Sequence, residues 1–158
     1  MNGSVQAPHR CTIDTPLGPV TLEGDGAAVC RISFGAECPG ETAPYLERAA
    51  AELLEYLTGR RRAFTFPTAP RGTPFQRRVW EALCRIPYGQ TMTYGALAAS
   101  LGMPGAARAV GSAAGKNPCP MVIPCHRLVA AKGLGGFSAG LERKRALLSL
   151  ENALRESL

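Results

Sequence analysis

The spacing of apolar and polar positions changes period along this 158-residue chain. Between residues 10 and 34, "RCTIDT", "PVTLEG" and "AAVCRISF" carry β-branched and apolar residues in short runs. The turn-forming "PLG" and "GDG" separate them, which predicts a three-stranded β-meander. The period then lengthens: "APYLERAAAELLEYLTG" sets Leu46, Ala50, Leu53, Leu54 and Leu57 at helical spacing, with Gly59 as a stop signal. "RRAFTF" at 61–66 reads as a returning strand. Three prolines and a glycine in "PTAPRGTP" mark a linker and set a domain boundary near residue 70.

Beyond that break the pattern is mainly helical. "TPFQRRVWEALCRI" offers Thr73 as N-cap and Pro74 as first helical residue, and puts Phe75, Val79, Leu83 and Ile86 on one face. "TYGALAASLGMPGAARAVGSAAGKN" reads as two short helices around "GMPG", the length and composition of a helix-turn-helix. A Pro-rich stretch and "GLGGFSAG" follow, then a last helix, "LERKRALLSLENAL", with Leu147, Leu150 and Leu154 facing inward. The expected fold class is α+β. A small lobe of β-meander and helix (1–70) precedes a mainly helical lobe with a winged helix-turn-helix (71–158).

Composition narrows the function. With 46% hydrophobic residues and no run of transmembrane length, the chain reads as globular. "MNGSVQAPHR" lacks the apolar core of a signal peptide, so the expectation is a cytoplasmic protein with no membrane partner. Cys11, Cys30, Cys38, Cys84, Cys119 and Cys125 are scattered and read as thiols rather than a disulfide framework. The net charge of +6 is unevenly placed. Residues 1–70 hold 6 Lys or Arg against 8 Asp or Glu, giving −2, and residues 71–158 hold 12 against 4, giving +8. From Ala82 to Leu141 there is no carboxylate, while Arg85, Arg108, Lys116, Arg127 and Lys132 are present. Such a stretch attracts phosphates and makes nucleic acid a candidate partner.

The second helix of the pair, "GAARAVGSAAG", presents almost nothing but Ala, Gly and Ser, with Arg108 its one long side chain. It is poorly equipped to read base edges, which argues against a transcription regulator. Small residues do permit close approach to a groove, and one arginine can enter the stack in place of an extruded nucleotide. Packing against a neighbouring helix accounts for the same composition.

"NPCPMVIPCHRLV" holds the candidate chemistry. Pro118, Pro120 and Pro124 exclude a continuing helix, so Cys125 sits on stiff backbone that runs extended or turned. In an extended segment Cys125 and His126 point to opposite faces, so a proton passing between them needs a water, unlike the direct pair of a cysteine hydrolase. Arg127 adds a positive charge next door, which favours a thiolate. Taken alone, the stretch is equally a buried structural cysteine in a Pro-rich loop.

The run from "FQRRVWEALCRIPYGQ" through "NPCPMVIPCHRLV", with "GFSAGLERKRALLSLE" after it, resembles the O6-alkylguanine-DNA alkyltransferases over about residues 73–151. The first lobe resembles theirs loosely through "IDTPLGPVTL". The resemblance implies that Cys125 accepts an alkyl group from guanine O6 in a single turnover. His126 is implied as general base through a water, Glu151 as the carboxylate that orients it, and Tyr94 as hydrogen-bond donor to the flipped guanine. Asn117 supports the active-site turn beside the substrate. The carbonyls of Cys125 and Leu128 and the N–H of Ser138 hold the guanine edge. On the DNA side, Arg108 fills the gap left by the flipped base, and the helix bearing Ala106, Ala107, Ala109, Gly111 and Lys116 lies in the minor groove. The implied partner is double-stranded DNA containing O6-alkylguanine, bound by a monomer without any cofactor; cooperative assembly on DNA and the preferred alkyl group stay open. A silent lesion-binding relative would lack the acceptor cysteine. Phe137 stands where the family usually has tyrosine, which keeps a stacking face and loses a hydroxyl. His9, Cys11, Cys30 and Cys38 lack the spacing of the zinc site some relatives carry, so no zinc is expected.

Overall fold

The computed structural model describes residues 9–35 and 40–153. The chain forms two compact units, Met1–Pro70 and Arg71–Leu158.

In the first unit, strands β1 (His9–Thr15), β2 (Gly18–Gly24) and β3 (Val29–Phe34) form an antiparallel sheet in that order. Its register pairs Ile13 with Val20 and Leu22 with both Cys11 and Ile32. The first hairpin is closed by Thr15, whose hydroxyl donates to the Gly18 carbonyl at 2.6 Å and accepts from the Leu17 N–H at 3.1 Å. Gly18 takes φ +92, a conformation in which a side chain is strained. Helix α1 (Pro44–Leu57) packs on β1 and β2. Its buried stripe is Leu46, Ala49, Ala50, Leu53, Tyr56 and Leu57, so Ala49 and Tyr56 go inward and Leu54 is only half-buried.

The returning strand expected at 61–66 does not form. Glu52 on α1 captures the Thr65 backbone N–H at 2.8 Å, satisfying the donor a strand neighbour would have taken. Phe64 stacks against Tyr56 and Phe66 instead. The chain rejoins the sheet only at Thr68, by one parallel bridge to Val29.

The second unit starts with α2 (Pro74–Leu83), capped as expected: Thr73 Oγ1 accepts the Gln76 N–H while Gln76 Oε1 accepts the Thr73 N–H. It buries Val79, Trp80, Ala82 and Leu83, with Ile86 just beyond, and leaves Phe75 half-buried. Strand β4 (Met92–Thr93) leads into α3 (Tyr94–Ser100), which Thr93 caps. Helix α4 (Ala107–Gly115) completes the helix-turn-helix. The Trp80 indole N–H donates to the Ala113 carbonyl at 2.9 Å and ties α2 to α4. Strand β5 (Leu128–Val129) pairs parallel with β4, an element that the helical reading of this lobe lacked.

The last helix, α5, is Leu141–Leu150, shorter than the expected 141–154. Its inward residues are Lys144, Leu147 and Leu148, whereas Leu150 is half-buried. Leu154 lies outside the described residues. No described helix is long and apolar enough to cross a membrane.

Candidate active site

Of the extended and turned courses open to it, the Pro-rich stretch takes the turned one, a laced loop. Asn117 holds it from within: its Nδ2 donates to the Ile123 carbonyl at 2.8 Å and its Oδ1 accepts the Cys119 N–H at 2.9 Å. Met121, buried at φ 75, stores local backbone strain. Past Pro124, residues Cys125–Arg127 make a single 3-10 turn, closed by the Arg127 N–H on the Pro124 carbonyl. The extended geometry considered for Cys125 and His126 is thus replaced by a tight turn. Its cause is the proline, which fixes φ and leaves its carbonyl to accept.

Cys125 is a free thiol, 7% exposed, opening into a cavity of about 350 Å³. The cavity is lined by Tyr94 from α3, Gly111, Ala114 and Gly115 from α4, Leu128 from β5, and Gly136, Phe137 and Ser138 from the loop before α5. Burial pushes the Cys125 thiol up from its ordinary range, opposed in turn by a hydrogen bond from the Asn117 side chain and by the charge of Lys144. Tyr94 is anchored by its oxygen, which accepts the Gly136 N–H at 3.1 Å and leaves its own hydrogen for another acceptor. Gly111 lies flat against its ring, with space for a Cβ only 3.4 Å from Cε1.

Behind the cysteine, His126 is fully buried and its Nε2 donates to Glu151 Oε2 at 2.8 Å. That bond assigns the proton to Nε2 and leaves Nδ1, also buried, as the basic nitrogen. Burial lowers the imidazole below its usual range despite the pull of Glu151 the other way, so the ring is neutral at pH 7 and competent as a base. Glu151 is only 2% exposed.

Arg127 does not serve the thiol as its sequence position suggested. It turns away to bind Glu151 with Nε at 2.8 Å and Nη2 at 3.0 Å, and the Ile86 carbonyl with Nη1 at 2.7 Å. The cation whose field reaches Cys125 is Lys144, which sequence reasoning missed. Its spacing of three and four residues before the inward Leu147 and Leu148 was the available signal.

Of the other residues singled out, Asn117 does not line the cavity and instead holds the loop. Arg108, Ala109 and Lys116 are exposed on α4, while Ala106 and Ala107 are half-buried beside them. In the first unit, His9 Nδ1 meets the Tyr45 hydroxyl at 2.9 Å and the Cys30 thiol donates to the Glu23 carbonyl. Cys11 faces Leu22 across the sheet. Among the described residues no group of three or more His, Cys, Asp or Glu side chains is placed to hold a metal, and Cys38 lies outside them.

A cavity lined by one shielded thiol and by Tyr94, with a neutral imidazole fixed by a carboxylate buried behind the thiol, can carry out nucleophilic transfer onto sulfur. Comparisons with known proteins agree with that chemistry. Residues 74–153 match the family model described as 6-O-methylguanine DNA methyltransferase, DNA binding domain, and residues 9–70 match its ribonuclease-like domain. The chain is 43% identical over 153 residues to a methylated-DNA--protein-cysteine methyltransferase of Mycobacterium tuberculosis, spanning 92% of this chain and 93% of that one. Against the crystal structure of Mycobacterium tuberculosis OGT in complex with DNA the TM-score is 0.84 at 44% identity, covering 91% of this chain and 92% of that one. A methylated-DNA--protein-cysteine methyltransferase of Methanosarcina barkeri is 42% identical, over 90% of this chain and 97% of its own. With both lobes matched and the thiol, imidazole and carboxylate assembled in one place, the chain belongs to the 6-O-methylguanine DNA methyltransferase family.

Proposed function

We propose that this protein repairs DNA directly, moving the alkyl group of O6-alkylguanine onto the sulfur of Cys125 once per molecule. The observation that carries this is the placement of Cys125 in the cavity wall, with the buried His126–Glu151 pair behind it and Tyr94 lining the same cavity. The thiol proton passes to His126 Nδ1 through a water, and Glu151 stabilises the imidazolium that results. The sulfur then attacks the alkyl carbon. The carbon–O6 bond breaks with its electron pair staying on guanine, and the Tyr94 hydroxyl donates to the base as its charge grows. The transfer balances without a cofactor. A thioether offers no leaving group back, so each molecule acts once.

A base inside a duplex cannot reach this cavity, so the nucleotide is turned out of the stack. The surface that approaches the duplex is α4, whose Ala106, Ala107, Ala109 and Gly111 let the helix enter the minor groove closely. Arg108 fills the vacated position and Lys116 meets phosphate. The Cys125 and Leu128 carbonyls and the Ser138 N–H hold the guanine edge, and Phe137 offers its face. The protein is a monomer in solution, in the cytoplasm.

The test is incubation with duplex DNA bearing O6-methylguanine labelled in its methyl group. One equivalent of label is expected on Cys125, and none on a Cys125→Ser variant that still binds the duplex. Catalytic release of label into solution, or full labelling of the serine variant, would overturn the reading.

A further inference from the structure

Helix α5 buries a lysine where its stripe calls for an apolar side chain. Lys144 has 0% of its surface exposed. Its Nζ donates to the Leu128 carbonyl at 2.7 Å and to the Gly136 carbonyl at 2.9 Å. Both acceptors belong to residues that line the cavity, one from β5 and one from the loop before α5. Among the described residues no carboxylate lies within ion-pairing distance of it. A buried ammonium held only by neutral carbonyls is expensive, and a methionine of similar length would fill the same volume without the desolvation cost. The charge therefore calls for a reason beyond packing.

We propose that Lys144 is the positioning residue of the acceptor site, an assignment that rests on the alkyl-transfer reading above. Its ammonium ties the Leu128 and Gly136 walls of the cavity together and supplies the positive charge that favours the thiolate of Cys125 over the thiol.

The titratable groups that feel this charge are Cys125 and His126, both on the 3-10 turn. From β5 and the loop it meets backbone carbonyls, and on its own helix its neighbours three and four positions away are Leu141, Leu147 and Leu148. Burial pulls Lys144 down from the ordinary lysine range to about 8, partly countered by Cys125. Thiol and ammonium are thus a coupled pair. Raising the pH creates thiolate at Cys125 while it begins to discharge the lysine that favours it, so reactivity climbs less steeply above about pH 8 than a lone thiol's would.

The experiment uses the full chain and needs no DNA, so its failure is distinguishable from failure of the repair reading. Alkylation of Cys125 by iodoacetamide is followed by mass spectrometry from about pH 6 to about pH 10, a range that brackets an ordinary thiol. Lys144→Met is expected to move the midpoint to higher pH and slow the reaction at pH 7 about tenfold, with Lys144→Arg restoring most of the rate. A folded Met variant with the parent's midpoint overturns the proposal. Should Lys144→Met not fold, the parent decides. The coupling is reciprocal, so capping Cys125 removes the group that holds the lysine charged. Carbon-13 NMR of labelled lysine should then show the Lys144 midpoint falling on alkylation, and an unmoved midpoint overturns the proposal equally. A parent that passes these tests yet takes no label from O6-methylguanine duplex would overturn the repair reading instead.

Discussion

Arg127 grips the carboxylate of Glu151 with two nitrogens, Nε on Oε1 at 2.8 Å and Nη2 on Oε2 at 3.0 Å, while Oε2 also accepts from His126. All three side chains are buried. The guanidinium is fixed in turn by the Ile86 carbonyl and lies 5.7 Å from the centre of the Tyr88 ring. One carboxylate therefore holds two partners at once, a permanent guanidinium cation and the imidazole of His126.

Removing that carboxylate strands its partners. Glu151→Ala leaves Arg127 buried without a counter-charge and His126 Nε2 without an acceptor, and should cost about 3–5 kcal/mol of stability. Glu151→Gln keeps one acceptor oxygen and should lose less. Urea unfolding of the three proteins checks the order, and an Ala variant as stable as the parent would remove the triad from the account of stability.

Acid should weaken the fold through His126. Its folded value is depressed by burial, whereas the unfolded imidazole takes a proton near pH 6.5. Below that point the unfolded chain binds more protons than the folded one, so stability falls as pH drops. The urea midpoint is expected to decline from pH 7.5 to pH 5, and His126→Gln should flatten that decline. A slope identical in both proteins would assign the acid sensitivity to other groups.

Gly135 tests the seating of Tyr94. At φ +73 it already disfavours a side chain, and a Cβ there would lie 2.6 Å from the Tyr94 hydroxyl oxygen. Gly135→Ala should therefore cost about 1–2 kcal/mol in backbone strain and also displace the tyrosine, slowing alkyl transfer. Gly133, at φ +98, has nothing within 4 Å of a built Cβ. Gly133→Ala is the control, expected to lose stability by strain alone while its transfer rate stays near the parent's.

Arg108 separates base flipping from chemistry. It is exposed on α4, away from the cavity lining. Truncation to Ala should weaken binding to undamaged duplex modestly and reduce the salt slope by about one unit. Repair within duplex DNA should fall about tenfold for each 1.4 kcal/mol of flipping cost returned to the protein. Reaction with free O6-benzylguanine, which requires no flipping, should stay near the parent rate. Equal loss of both activities would place Arg108 in folding or in the chemical site.

Much of the architecture was legible in the chain because the signals are local. The Thr73 N-cap of α2, the turn at Gly18, the paired helices around "GMPG" and most of the stripe of α1 each depend on residues a few positions apart. Resemblance to a known family added the residues of the cavity that lie far apart in sequence, from Tyr94 through Cys125 to Ser138.

What the tertiary structure alone decided is which partners the polar groups find. Glu52 ends a strand before it starts by capturing the Thr65 backbone. Arg127, two residues from the thiol in sequence, spends its charge on a carboxylate 24 residues away. Lys144, a basic residue among basic residues in "ERKR", lies wholly inside, with two carbonyls as its partners. A charged letter in a sequence reads as solvated because water is its default partner. Only when the folded chain presents a fixed acceptor at hydrogen-bond distance does burying that charge become tolerable, and the acceptors here come from elements that meet only in three dimensions.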